Sequence, residues 1–172
     1  MDIPHDIIGT LKTLSSVCTA HGMRYCLVGG LAVSIVAAPR ATEDIDITLL
    51  INADELPRLR EILNAAFDII QFNEERLDLS GAFIQRVVIR GKNSSGFVIL
   101  DVLLPVHPIY RQAVERAIPL SVDNVIIPVA RPEDLILMKM LSKRPQDVAD
   151  IETIRRECDG LDESYISSNK PD

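Results

Sequence analysis

The chain has 172 residues, of which 47% are hydrophobic and 25% are charged, a composition that is typical of one globular domain and excludes global disorder. Its 18 Lys and Arg residues and 25 Asp and Glu residues give a formal net charge of −7. This balance argues against a generally basic protein that coats nucleic acid or an anionic membrane. Any anionic ligand must therefore be bound by local features.

The three cysteines, Cys18, Cys26 and Cys158, show no paired spacing, which argues against both a disulfide framework and a structural zinc site. The longest apolar stretch, residues 26–38, is too short to span a bilayer. Charged residues interrupt the N-terminal segment, so it does not resemble a signal peptide. These features predict a soluble protein with reduced thiols in the cytoplasm and without a membrane partner.

Hydrophobic periodicity predicts alternating helices and strands along the first half of the chain. Apolar residues recur at helical spacing over residues 4–21, and a short apolar run at 25–28 predicts a strand. Gly29 and Gly30 predict a turn before a buried helix over 31–38, which Pro39 ends. Strict alternation of apolar and polar residues predicts a strand over 45–49.

The second half shows the same mixture of periods without strict alternation of strand and helix. The predicted helices are 52–66, 109–117, 131–142 and 145–158, and the predicted strands are 67–72, 83–90, 96–104 and 125–129. This order predicts an α+β fold with a mixed or largely antiparallel central sheet flanked by helices. We expect a single domain over residues 1–160 and a flexible tail over 161–172.

The pair Gly29 and Gly30 precedes a predicted helix. Glycines lack Cβ atoms, so their backbone N–H groups can approach an anion closely, and the helix adds the positive end of its dipole. This arrangement would suit a phosphate. An ordinary tight turn is the alternative for the glycines taken alone.

Asp44 and Asp46 are two residues apart in a predicted strand and therefore project to the same face. At about 4 Å and an effective dielectric of about 20, two such charges repel by about 4 kcal/mol. That repulsion would raise one pKa or attract a divalent cation such as Mg²⁺, which favours a few carboxylates together with water and phosphate oxygens. The alternative is that both carboxylates are hydrated at an exposed strand end.

Asp101 lies within an otherwise apolar strand, where an isolated carboxylate is costly to bury. It must accept hydrogen bonds from a helix terminus, pair with an arginine, or join Asp44 and Asp46 around a metal ion. A metal site built from all three carboxylates requires that Asp101 point toward the other two and not be neutralised by an arginine. Otherwise the proposed catalytic centre fails.

Gly29 and Gly30 with Asp44 and Asp46 after a short gap, and a later strand carboxylate at Asp101, resemble the signature of the DNA polymerase beta-like nucleotidyltransferase superfamily in its minimal form. The segments 40–46, 132–139 and 144–151 strengthen this resemblance, and the last two are similar to a motif of toxin-type bacterial nucleotidyltransferases. The resemblance extends over residues 25–151.

The resemblance implies that Asp44, Asp46 and Asp101 bind one or two Mg²⁺ ions, which clamp the phosphates of an NTP. It also implies that Gly29 and Gly30 hold the triphosphate and that Asp101 helps to activate the acceptor hydroxyl. Many active relatives carry Ser after the first glycine, whereas this chain has Gly30. Backbone N–H groups must then replace the hydroxyl contact.

Four further residues are candidates for nucleotide binding. Lys139 is the single charge in an apolar helix, so its ammonium group needs an anion, either a nucleotide phosphate or Asp147, unless it extends to water. Asp147 lies in the first turn of a helix, where a carboxylate is also favoured by the helix dipole. Arg40 is a candidate for contact with the leaving pyrophosphate, and Thr42 for orienting its loop.

These residues predict a metal-dependent nucleotidyltransferase that transfers a nucleoside monophosphate from an NTP, such as ATP, to a hydroxyl and releases pyrophosphate. The acceptor is left open among a protein side chain, an RNA end such as that of tRNA, and a small molecule. A homodimer or a partner protein would complete a site in so short a chain. The alternative is a noncatalytic binding module, for example one member of a toxin–antitoxin pair.

Overall fold

A mixed β-sheet flanked by helices forms the centre of the molecule. The computed structural model describes residues 5–39, 42–73, 77–79, 81–92 and 94–171. Its helices are α1 (His5–Ala20), α2 (Gly29–Val36), α3 (Leu56–Ala66), α4 (Pro108–Arg116), α5 (Pro132–Ser142), α6 (Pro145–Glu157) and α7 (Glu163–Ser168), with a 3₁₀ turn at Ala53–Glu55. Its strands are β1 (Tyr25–Val28), β2 (Asp44–Leu49), β3 (Phe67–Phe72), β4 (Leu77–Leu79), β5 (Ala82–Gly91), β6 (Val98–Pro105), β7 (Ile118–Val122) and β8 (Val125–Val129).

The strands pair in the order β3-β5-β6-β2-β1-β8-β7, and β4 pairs with β5. Two pairs, β2 with β6 and β1 with β8, are parallel, and the other pairs are antiparallel. The α+β class and the mixed sheet predicted from the sequence are confirmed.

Strand β2 lies between β1 and β6 and shows why the alternating sequence pattern is informative. Ile45, Ile47 and Leu49 are fully buried on one of its faces. Asp44 and Asp46 alternate with them and are partly buried on the other face. The apolar set anchors the strand in the core, so the two carboxylates are held at fixed positions beside the sheet.

The helices form two groups around the sheet. Helix α1 contacts α3 and strands β2, β5, β6 and β8, whereas α5 contacts α2, α4, α6 and α7. Helix α5 is buried along most of its length because Leu135, Ile136 and Leu137 are all apolar and inaccessible. No helix in the described part of the chain is both long and apolar enough to span a bilayer.

Three elements differ from the sequence prediction, namely β4, β7 and α7, and β4 pairs with β5. Strand β7 was not predicted. It forms a hairpin with β8 around Asp123 and Asn124, which both have positive φ angles, as a two-residue hairpin turn of this hand requires. Helix α7 lies within the stretch that was expected to be a flexible tail. Its Ile166 is buried, and Asp162 caps it by accepting a hydrogen bond from the Tyr165 N–H.

Candidate active site

A row of residues crosses four adjacent strands at one edge of a cleft. Val28 on β1 pairs with Asp46 on β2, Asp46 pairs with Asp101 on β6, and Asp101 pairs with Arg86 on β5. Directly paired residues in neighbouring strands lie on the same face, about 5 Å apart from strand to strand. The sheet register therefore brings Asp46, Asp101 and Arg86 together, although they are far apart in sequence.

Gly29 follows Val28 and is the first residue of α2, so the helix begins at the glycine pair where the sequence analysis expected a separate turn. Gly29 has a φ of +67°, which favours glycine. A Cβ at this position would lie 2.7 Å from the Cβ of Asp46 and closer still to its carboxylate. Only glycine therefore lets the start of α2 pack directly against Asp46.

The pKa values of Asp44 and Asp46 are both raised. Burial, followed by the charges of Asp101 and Asp44, raises the pKa of Asp46 to about 7. Burial and the charge of Asp101 also raise the pKa of Asp44, although Arg86 acts in the opposite direction. Two neighbouring carboxylates with this unfavourable energy are a donor set that suits a divalent cation such as Mg²⁺.

Asp101 is brought beside Asp46 as expected, but it is paired with Arg86. The Nε of Arg86 donates to Oδ1 of Asp101 at 2.8 Å, and Nη2 donates to Oδ2 at 2.6 Å. Within the described residues, no three His, Cys, Asp or Glu side chains are grouped so that they can hold a metal ion. Because Arg86 neutralises Asp101, the condition set above for a catalytic centre of three metal-binding carboxylates is not met, and Asp44 and Asp46 remain as the candidate metal ligands.

Lys139 lies at the other side of the cleft in a buried ion-pair network that joins α5 to α6. Its Nζ donates to Asp147 at 3.3 Å and to Asp150 at 2.5 Å. Arg144 Nε and Ser142 Oγ also donate to Asp147, at 2.7 and 2.6 Å. Burial opposes ionisation of Asp147, but the hydrogen bonds from Arg144 and Ser142 and the charge of Lys139 lower its pKa to about 2.

Of the three alternatives that the sequence left for Lys139, the structure shows the pairing with Asp147 and adds Asp150 as a second partner. Lys139 and Arg144 nevertheless lower the pKa of Asp46 through their charges, so the network acts electrostatically on the carboxylates across the cleft. The side chain of Arg144 is 61% exposed, which leaves part of its guanidinium group accessible from the cleft.

Of the three remaining candidates, Thr42 and Gly30 line the same cleft. Thr42 donates through Oγ1 to the carbonyl of Asp44 at 3.3 Å, which agrees with a role in orienting its loop. Gly30 lines the cleft beside Gly29. Arg40 lies outside the described residues, so its proposed contact with pyrophosphate stays a prediction.

The cleft has a volume of about 730 Å³, within the range of small-molecule sites. Its lining includes all the described residues that the sequence analysis singled out, namely Gly29, Gly30, Thr42, Asp44, Asp46, Asp101, Lys139 and Asp147. Two residues of the lining, Arg86 and Ser142, were not predicted from the sequence. The signal for Arg86 was a charged residue in an apolar strand that is antiparallel to the strand of Asp101, but the pairing register was needed to place the two side by side.

The fold and the cleft define a nucleotidyltransferase-like protein. The model of a family described as the nucleotidyl transferase AbiEii toxin of type IV toxin–antitoxin systems matches residues 13–166. The chain therefore belongs to the AbiEii nucleotidyl transferase family. No curated protein sequence matches it significantly.

Solved structures share this fold at low sequence identity. An antigenic nucleotidyltransferase-like protein from Paracoccidioides brasiliensis is 18% identical, with a TM-score of 0.56 over 88% of this chain and 76% of that one. JHP933 from Helicobacter pylori is 14% identical, with a TM-score of 0.54 over 98% and 74%. ANT(2'')-Ia, solved in complex with adenylyl-2''-tobramycin, is 14% identical, with a TM-score of 0.55 over 95% and 94%.

Proposed function

We propose that this protein transfers a nucleoside monophosphate from an NTP to a hydroxyl group and releases pyrophosphate, with Mg²⁺ as the cofactor. The observation that carries the proposal is the packing of Gly29, at the start of α2, against Asp46. It puts the positive end of a helix, which favours phosphate, next to carboxylates that favour a divalent cation. A metal–triphosphate complex needs both features within a few ångströms.

Asp44 and Asp46 are the residues that would hold the metal ion. Burial and neighbouring negative charges raise the pKa of both carboxylates, and a bound cation would relieve this cost of ionisation. When bound, Mg²⁺ supplies positive charge to the phosphate oxygens and aligns the entering and leaving groups. The Asp44–Asp46 pair fits this ion without a third carboxylate, because Mg²⁺ usually keeps several water or phosphate ligands.

The other cleft residues would bind and orient the two substrates. The backbone N–H groups of Gly29 and Gly30 would receive the triphosphate, and the exposed part of Arg144 would face its negative charge. Asp101 would accept a hydrogen bond from the acceptor hydroxyl, since its oxygens keep lone pairs beyond those used by Arg86. The hydroxyl oxygen would bond to the α-phosphorus while the bond to pyrophosphate breaks. The hydroxyl proton would pass to the Asp101 carboxylate.

The test is transfer of label from each NTP, carrying phosphorus-32 at the α-position, into the protein, RNA and small-molecule fractions of a cell lysate. We expect Mg²⁺-dependent labelling of one fraction, which identifies the acceptor class. Asp46→Asn should lower the labelling by at least about a hundredfold, because changing even a residue that only supports a metal ligand typically costs about 10–100-fold in metal affinity or activity. Labelling that persists in Asp46→Asn or in excess EDTA would contradict the proposal.

A second candidate function is a noncatalytic binding module, and the ion pair between Arg86 and Asp101 favours it. In that case Asp101 would serve the stability of the sheet, and the cleft would bind a nucleotide or a partner protein without chemistry. Calorimetry of NTP binding with Mg²⁺ distinguishes the two functions. Binding that is unchanged in Asp46→Ala, together with no labelled product, favours the module.

A further inference from the structure

The Arg86–Asp101 ion pair forms part of the lining of the cleft. The two residues are direct cross-strand partners on β5 and β6, and the guanidinium group contacts both carboxylate oxygens. Asp101 is only 4% exposed, whereas the side chain of Arg86 is 38% exposed toward the cleft that both residues line. A bidentate pair of this geometry is among the stronger charged contacts in proteins, and its rupture would leave a buried charge without a partner.

The other two cationic side chains in the described lining of the cleft, Lys139 and Arg144, already form ion pairs. Lys139 and Arg144 both pair with Asp147, and Lys139 also pairs with Asp150. Within the described residues, Asp44 and Asp46 form no ion pair, and the charges of Arg86, Lys139 and Arg144 offset their raised pKa values only in part. Asp44, Asp46 and Asp101 carry three formal negative charges and Arg86 carries one positive charge, which leaves two negative charges, the number that one divalent cation neutralises.

We propose that Arg86 is a built-in cation that takes the place of a second metal ion at Asp101. This inference rests on the proposed function. Before nucleotide binds, the protein holds one divalent cation through Asp44 and Asp46, and Arg86 repels a second cation from Asp101. Arg86 is thus a positioning residue: it fixes the Asp101 carboxylate beside the cleft and sets the number of metal ions.

The experiment counts Mn²⁺ ions bound to the nucleotide-free protein by electron paramagnetic resonance and calorimetry, with Mn²⁺ as a spectroscopic substitute for Mg²⁺. We expect one ion in the wild type and a second, weaker ion in Arg86→Met. The matched control is Arg90→Met, on the same strand, because Arg90 pairs with the exposed Asp68 away from the cleft. Arg90→Met should retain one ion with unchanged affinity.

A charge-neutral double variant, Arg86→Met with Asp101→Leu, tests whether Asp101 is a ligand. Since the proposal leaves metal binding to Asp44 and Asp46, this double variant should keep the single Mn²⁺ within about threefold of the wild-type affinity, less than 1 kcal/mol. Asp46→Asn should instead weaken it by at least about tenfold. Circular dichroism checks the fold of each variant. If Arg86→Met does not fold, the number of Mn²⁺ ions bound to the wild type and the Mn²⁺ affinity of the double variant can still contradict the inference.

Three results would overturn the inference: two Mn²⁺ ions in the nucleotide-free wild type, a folded Arg86→Met that still binds only one Mn²⁺, or a loss of affinity in the double variant as large as that in Asp46→Asn. A wild type that binds no Mn²⁺ overturns both the inference and the proposed metal dependence. One bound Mn²⁺ with the expected behaviour of the variants, but no transfer of label from any NTP, contradicts the proposed function alone.

Discussion

Asp46 is held in the cleft at an electrostatic cost. Its burial and the neighbouring charges of Asp101 and Asp44 raise its pKa to about 7. The folded protein therefore binds this proton more tightly than the unfolded chain does, and folding stability falls as the pH rises from about 4 to about 7. Such a cost at a conspicuous cleft position is typical of a residue that is retained for binding or catalysis.

Asp46→Asn should therefore stabilise the metal-free protein. In EDTA at about pH 8, we expect the free energy of unfolding to increase by about 2 kcal/mol, because the uncharged amide escapes the penalty of ionisation. Near pH 4 the gain should vanish, since Asp46 is then protonated in the folded wild type. Urea denaturation at both pH values measures this difference. The exposed Asp159→Asn serves as the control, and a destabilised Asp46→Asn at high pH would contradict the prediction.

Gly29→Ala should be strongly destabilising for two separable reasons, the positive φ angle and the collision with Asp46. Gly22→Ala isolates the first reason, because Gly22 has a φ of +62° but no atom near an added Cβ. We expect about 1 kcal/mol for Gly22→Ala and at least about 3 kcal/mol for Gly29→Ala.

Gly9→Ala completes this glycine series as a positive control. Gly9 lies within α1 with open space around an added Cβ, so the change should raise stability by up to about 1 kcal/mol. Thermal and urea unfolding of the three variants provide the comparison. Equal losses in Gly29→Ala and Gly22→Ala would mean that the contact with Asp46 carries no steric constraint.

At the scale of elements, a hydrogen bond to the buried carboxylate of Asp134 joins α7 to α5. Asp134 is fully buried, and it accepts hydrogen bonds from the hydroxyl of Tyr165 at 2.7 Å and from Nε of Arg116 at 3.1 Å. The guanidinium group of Arg116 also lies 3.7 Å from the centre of the Tyr165 ring. Three elements, α4, α5 and α7, are therefore joined at Asp134.

Tyr165→Phe should cost about 1–2 kcal/mol of stability, since it removes a hydrogen bond to a buried carboxylate but keeps the ring over Arg116. Ser164→Ala is the matched control because it removes a neighbouring hydroxyl whose partner, Asp162, is exposed. That change should cost less than about 0.5 kcal/mol. Hydrogen exchange should also increase across α7 in Tyr165→Phe. Unchanged exchange and stability would indicate that Ile166 alone retains the helix.

These elements show what local sequence patterns can and cannot predict. The alternation around Asp44 and Asp46 predicted β2 because one strand's period is enough to assign its two faces. The partner of Asp101 was not predictable, since it depends on the register between β5 and β6. Strand β7 was missed because Pro119 lowers strand propensity in a short segment. Helix α7 was missed because its contact with Asp134 spans 31 positions of the chain.

At the scale of the whole molecule, the net charge of −7 opposes the approach of a nucleotide, which is itself an anion. At physiological ionic strength the Debye length is about 8 Å, so charges far from the cleft are screened while Asp44, Asp46 and Asp101 are not. A free triphosphate would meet the negative charges of Asp44 and Asp46 beside Gly29. Nucleotide binding should therefore require a divalent cation, even before any chemistry.

Thermal unfolding with and without the metal tests this requirement. At a nucleotide concentration of about 100 times Kd, binding adds about 2.7 kcal/mol, which should raise the Tm of a domain of this size by about 5–10 °C. We expect this increase for at least one of ATP, GTP, CTP and UTP with Mg²⁺, and a shift below about 1 °C for the same nucleotide in EDTA. Asp44→Asn should abolish most of the Mg²⁺-dependent increase, whereas Asp159→Asn should retain it. An equal increase in EDTA would mean that the cleft binds the triphosphate through Gly29, Gly30 and its cationic side chains alone.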